Sequence, residues 1–252
     1  MPLLSWLNWR PRAELDQPHG DEHRHRDVRG GAARAAVFGV SDGLVTNVSL
    51  ILGVAGAHPA AGLVRLTGLA GLVAGAFSMA AGELVSMQAQ REMMERELAV
   101  ERAALRSAPE WEAQELVNLY ESRGLDPEMA RDLAAHVMAD PELALETHAR
   151  EELGIDPEKL GSPWQAASAS FTAFALGAFL PLLPWLVTAG SAAVVLSVVI
   201  GCVASLGVGA LVGLLTSRSW VRAALRQLAV AAVAAAVTFG VGRAVGTGVG
   251  TA

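Results

Sequence analysis

Five apolar runs, separated by polar and charged stretches, organise the chain from residue 35 onward. They cover about 35–57, 63–87, 164–187, 189–217 and 223–245. Each is near or above the roughly 20 residues that a helix needs to cross a bilayer. No polar period runs through them, as expected of helices surrounded by lipid rather than amphipathic helices on a soluble core. The fourth run is long and interrupted by glycine, so tilt or surplus ends would absorb its length. The fifth is the weakest, with Arg226 and Arg243 near its ends, where they snorkel to the headgroups.

The second run has no stop signal after Met87. QAQREMMERELAVERAALRS continues with helix formers until Pro109, which predicts one long helix that leaves the membrane and projects into water. Further helices follow at about 109–123, 126–138 and 141–153, punctuated by Pro109, Gly124, Pro127, Pro141 and Gly154. The predicted fold is an all-α membrane protein with five transmembrane helices and a helical domain inserted between the second and third. The chain divides into a polar, His-containing tail (1–33), membrane helices 1–2 (34–90), the insert (91–163) and membrane helices 3–5 (164–252).

Composition sharpens this picture. Hydrophobic residues make up 52% of the 252 and aromatic ones only 5%, with mean hydropathy +0.39, so the apolar content lies in the runs and not in an aromatic soluble core. A single cysteine, Cys202, excludes a disulfide within the chain and a Cys-based zinc site. No signal peptide is read in the first residues, which turn polar without a small-residue cleavage site.

The net charge of -6 conceals a division. Residues 91–163 hold eighteen acidic against eight basic side chains, a formal charge of −10. Such a domain attracts cations and repels nucleic acid and anionic lipid. Arginines set the orientation. Arg24, Arg26, Arg29 and Arg34 precede the first span and Arg218 and Arg222 follow the fourth, whereas the link between the third and fourth has no charge. This puts the N-terminus and the acidic insert in the cytoplasm and the C-terminus outside. Arg65, in the first short link, dissents.

Two carboxylates stand inside otherwise uncharged runs, Asp42 in the first and Glu83 in the second. A charge there costs a few kcal/mol or more, so such a group faces a protein interior or a wet path and has a function. Asp42 is flanked by Ser41, Gly43, Thr46 and Asn47, and Met79 lies one turn before Glu83. Oxygen ligands with a thioether suit a borderline-soft divalent ion. The plainer readings are an interhelical hydrogen-bonded carboxylic acid for Asp42 and Glu83, and packing for Met79.

In the insert, Glu97/Glu101, Glu112/Glu115 and His148/Glu152 each fall on one helix face. Three such faces turned towards each other would form a carboxylate-rich site with an imidazole, suited to Fe2+, Mn2+ or Zn2+ rather than Cu(I). Spacing alone favours a solvated acidic surface, although like charges one turn apart repel without a cation. Small-xxx-small pairs at Gly39/Gly43, Gly71/Gly75, Gly209/Gly213 and Gly242/Gly246 allow close helix contact or a homodimer. His19, His23 and His25, with Asp21 and Glu22, read as a polar tail or a loose metal lure.

Four stretches carry a resemblance. FGVSDGLVTNVSLILGVAGA, GAFSMAAGELVSMQAQRE, PEWEAQELVNLYESRGL and REELGIDPEKLGSPWQAA, in this order, resemble the vacuolar iron transporter family, with its bacterial and nodulin-like members. The resemblance implies five membrane helices, a cytoplasmic helical metal-binding domain after the second, a homodimer, and export of Fe2+, often Mn2+, from the cytosol in exchange for protons. It implies that Asp42 and Met79 line the ion path and that Glu83 is the acidic position of bacterial and nodulin-like members. It makes Glu101, Glu112, Glu115 and Glu152 ligands of the metal-binding domain. Where the family has a second glutamate one turn after Glu101 this chain has Ala104, for which Glu97 is the expected substitute; where methionines can precede the last glutamate it has His148 and Ala149.

The expected function is proton-coupled transport of Fe2+ or Mn2+ through the lipid bilayer, with no permanently bound cofactor and no enzymatic activity. The rival is a membrane-bound metal sensor or storage adaptor without transport. No histidine lies within a span and no G-x-S-x-G elbow occurs, against an intramembrane hydrolase. With one lysine in an Ala-, Arg- and Gly-rich chain, a bacterial inner membrane is the expected location.

Overall fold

The computed structural model describes residues 31–158 and 160–249. All regular structure among them is helical: α1 (Gly31–Gly56), α2 (Ala61–Ser107), α3 (Pro109–Ser122), α4 (Pro127–Met138), α5 (Pro141–Glu151), α6 (Pro163–Val187), α7 (Gly190–Leu215) and α8 (Trp220–Val249). Five of these, α1, α2, α6, α7 and α8, are long and apolar enough to cross a membrane. They match the five sequence runs to within a few residues. Residues 1–30 of the His-containing tail lie outside the described residues, and 31–33 belong to α1.

Helix α2 has 47 residues and no interruption. At 1.5 Å per residue it is about 70 Å long, roughly twice the apolar thickness of a bilayer. Its first half belongs to the membrane bundle and its second half forms one wall of the insert. Helix α3 opens on Pro109 alone, whereas α4 and α5 begin where proline and a capping side chain coincide. The Asp126 carboxylate accepts the Glu128 N–H ahead of Pro127, and that of Asp140 accepts the Glu142 N–H ahead of Pro141. Gly124 and Gly154 have φ of +95° and +66°, so the chain reverses there at little cost. Leu116, Val117 and Tyr120 of α3, Ala130, Ala134 and Val137 of α4 and Ala144 of α5 then close a small core, with Leu105 of α2 against it.

The membrane bundle is sealed by small residues. A Cβ on Gly43 of α1 would collide with the Phe174 carbonyl of α6, and one on Gly177 of α6 with the Val40 carbonyl of α1. Gly71 and Gly75 face Leu50 and Phe174, Gly209 and Gly213 face α8, and Gly242 and Gly246 face Gly53 and Ala57. All four small-xxx-small pairs are therefore occupied by contacts within one chain, and none is left to argue for a second copy.

Polar side chains tie the seams. The buried Asn47 amide donates to the Ala178 carbonyl, and the Ser197 hydroxyl to the Pro181 carbonyl. The Gln227 amide donates to the Ser41 hydroxyl at 2.6 Å, joining α8 to α1. Arg65 donates to the Trp185 and Thr188 carbonyls at the end of α6. It thus serves as a C-terminal cap, which explains its place on the sparsely charged side of the chain.

Candidate metal centre

The insert brings one acidic cluster together. His148, on α5, is fully buried, and its Nδ1 faces three carboxylates: Glu101 Oε1 of α2 at 3.2 Å, Glu152 Oε2 at 3.4 Å and Glu112 Oε2 of α3 at 3.8 Å. Glu101 and Glu112 are themselves buried, while Glu152, at the C-terminal cap of α5, is exposed. One ligand atom from each of Glu101, His148 and Glu152 lies within 4.8 Å of the others, close enough for a single ion. Glu115 follows Glu112 by one turn on α3, near enough for its charge to act on both buried carboxyls. The small core explains the convergence. It fastens α3 and α5 to the projecting half of α2, and the polar ends of the same helix faces meet beside it.

The electrostatics of this pocket favour a cation. Burial raises the Glu101 carboxyl above its ordinary value, with His148 opposing and Glu112, Glu152 and Glu115 adding to the rise. Burial likewise raises Glu112, reinforced by Glu115 and Glu152. The imidazole is caught between two demands. A proton on Nδ1 serves the carboxylates and leaves Nε2, which has no hydrogen-bond partner among the described residues, as a buried lone pair. A proton on Nε2 leaves the Nδ1 lone pair pointing at three oxygens, and a metal ion reconciles that arrangement. Oxygen ligands with one imidazole are the donor set of Fe2+, Mn2+ and Zn2+.

Glu97 does not join this group. It is exposed on α2 one turn before Glu101. Glu97 thus stands one helical turn, a rise of about 5.4 Å, from the level at which α5 docks against Glu101.

The membrane residues are held singly. Asp42 Oδ1 accepts from the Thr46 hydroxyl at 3.2 Å on its own helix. Met79 is partly buried and packs against the Ala76, Phe174 and Ala178 cluster. Glu83 pairs with Arg34, Nη2 to Oε1 at 3.3 Å. Among the described residues no hydrogen bond or ion pair joins Asp42, Met79 and Glu83 to one another. Sequence reading missed the Arg34–Glu83 pair and the burial of Asn47. Both depend on contacts between helices far apart in sequence, and Arg34 carried only an orientation signal.

A model described as the VIT family matches residues 33–243. The chain belongs to the VIT family. The vacuolar iron transporter of Acanthamoeba castellanii is 38% identical over 164 residues, 65% of this chain and 59% of that protein. Vacuolar iron transporter 1 of Arabidopsis thaliana is 31% identical over 219 residues, 85% of this chain and 86% of that protein. Vacuolar iron transporter 2 of Oryza sativa subsp. japonica is 30% identical over 216 residues, 85% and 88% of the two chains. This VIT-family chain is an integral membrane protein, its five apolar helices lying within the matched region apart from the ends of the first and last.

Proposed function

We propose that this protein transports a divalent metal ion, Fe2+ with Mn2+ as a second cargo, out of the cytosol in exchange for protons. The observation that carries the reading is the convergence of Glu101, Glu112 and Glu152 on His148, built on the projecting half of the helix that holds Met79 and Glu83 in the membrane. The names of the relatives as iron transporters support the cargo. The insert faces the cytosol in this reading and collects the ion. The ion then passes Glu83 and Met79 to Asp42. A proton from the outer side takes the Asp42 lone pairs and releases it, since protons and metals compete for the same ligands.

A second copy fits the same reading. Helix α2 exposes Leu66, Leu69, Val73 and Phe77 along its membrane half, so two α2 faces would close a path between protomers that one chain leaves open to lipid. The decisive experiment is metal flux into proteoliposomes with Fe2+ and Mn2+ compared, with and without an imposed pH gradient. Gradient-driven flux is expected. Metal binding without any flux would replace transport by a sensor or storage role.

A further inference from the structure

The ion pair at the mouth of the bundle has no part in the mechanism so far. Arg34 sits in the first turn of α1, and its Nη2 lies 3.3 Å from Glu83 Oε1. The two ends differ in exposure: the Glu83 side chain retains 20% and the Arg34 side chain 70%. The guanidinium therefore lies over the carboxylate from the solvent side.

A packed corner delivers it there. Gly31, one turn before Arg34, abuts Met87, so that a Cβ at Gly31 would lie 3.1 Å from Met87 Cε and 4.0 Å from the Ala166 side chain of α6. Met87 is buried, one turn beyond Glu83 on α2. The start of α1 is thus wedged against α2 and α6 at the level where α2 leaves the bundle, and Arg34 projects from a fixed turn. A guanidinium stays charged at any working pH. The pair is undone by a competing cation or by movement of α1, and not by titration of the arginine.

We propose that Arg34 is a tethered counter-cation for Glu83, and that a divalent ion reaches Glu83 only by displacing it. This rests on the transport reading and adds a specificity step to it. A monovalent ion, no more highly charged than the guanidinium and lacking its fixed geometry, displaces it poorly. A divalent ion delivered from the cluster above competes effectively.

The test uses the full-length protein and Mn2+. In proteoliposomes, Arg34→Gln is expected to lower the half-saturating Mn2+ concentration by about two- to fivefold, the scale of one partly exposed ion pair. Arg222→Gln, which removes the same charge at the same end of the bundle, is expected to leave it unchanged, and Arg34→Lys to stay close to the parent protein. In a Glu83→Gln background, Arg34→Gln is expected to have no further effect. Unchanged half-saturation in Arg34→Gln, or an equal fall in the Glu83→Gln background, would overturn the proposal while leaving transport intact. If the parent protein shows no flux, the transport reading fails. Mn2+ binding to the solubilised full chain, followed by electron paramagnetic resonance in a Glu101→Gln/His148→Ala background, then decides the competition alone. Tighter binding on adding Arg34→Gln supports it and an unchanged Kd overturns it.

Discussion

The insert buries two carboxylates whereas the membrane bundle only half-buries its two, and the two regions hold them in opposite ways. In the insert, Glu101, Glu112 and Glu152 reach across three helices to one imidazole, and the group is complete within a single chain. In the bundle, Asp42 has a local Thr46 partner, Glu83 has Arg34, and Met79 lies in packing. The difference follows from what seals each region. A small apolar core fastens the insert at one end of its helices and leaves the other end for polar side chains to converge. Glycine-lined seams bring α1 and α6 into backbone contact, leaving no room between them for a ligand. Asp42, Met79 and Glu83, all partly buried, therefore lie at the margins of its seams.

The sharpest way to break this contrast is Asp42→Ala. Flux is expected to fall by about a hundredfold, the upper range for loss of a ligand-level contact. Metal bound at the insert, measured by equilibrium dialysis of the full chain, should stay unchanged. A parallel loss of binding would show that the two regions form one site. Next in size is Glu101→Gln with Glu112→Gln. Metal affinity should drop at least about tenfold, while the apo protein should become slightly more stable, by about 1 kcal/mol, since two buried like charges are removed. A fall in apo melting temperature would mean that the carboxylates hold the insert together without metal.

The pH dependence is a subtler discriminator. The Glu101 and Glu112 carboxyls are raised above the ordinary value of 4.5 by burial. The folded insert therefore binds more protons than the unfolded chain just above that pH. Their contribution to stability is present at low pH and is lost as pH rises through the raised values. Metal reverses the sign, because it binds the deprotonated form. The increase in melting temperature caused by Mn2+ should thus shrink as pH falls towards 4.5, as read by thermal unfolding across a pH series. An increase that grows on acidification would exclude the carboxylates as ligands. Smallest of all, Glu97→Gln should change metal affinity by less than about twofold, consistent with an exposed charge one turn from the site. A loss comparable to that of Glu101→Gln would show that α2 slides or rotates on loading.

Much of this was legible in the chain itself. The lipid-length runs, the absence of a stop after Met87 and the Pro and Gly punctuation of the insert each express a local rule, so all eight helices could be read to within a few residues. The paired spacing of Glu112 with Glu115 and of His148 with Glu152 was equally visible. Glu97 and Glu101 looked equivalent because a single helix face carries both. Only the height at which α5 docks against α2 separates them. The glycine pairs were ambiguous for the same reason, since spacing shows that a helix can be approached closely without showing by what.

What the sequence determined alone is the set of properties that depend on neighbours within a few residues: where helices begin and end, which of them prefer lipid, and where negative charge accumulates. What the tertiary structure decided is which faces meet. Packing of side chains 36 to 49 positions apart, such as Glu112 with His148 and Arg34 with Glu83, is selected by the fit of whole helices. That fit gathered carboxylates from three helices around a buried imidazole, left Glu97 exposed, and laid an arginine over the carboxylate at the mouth of the membrane bundle.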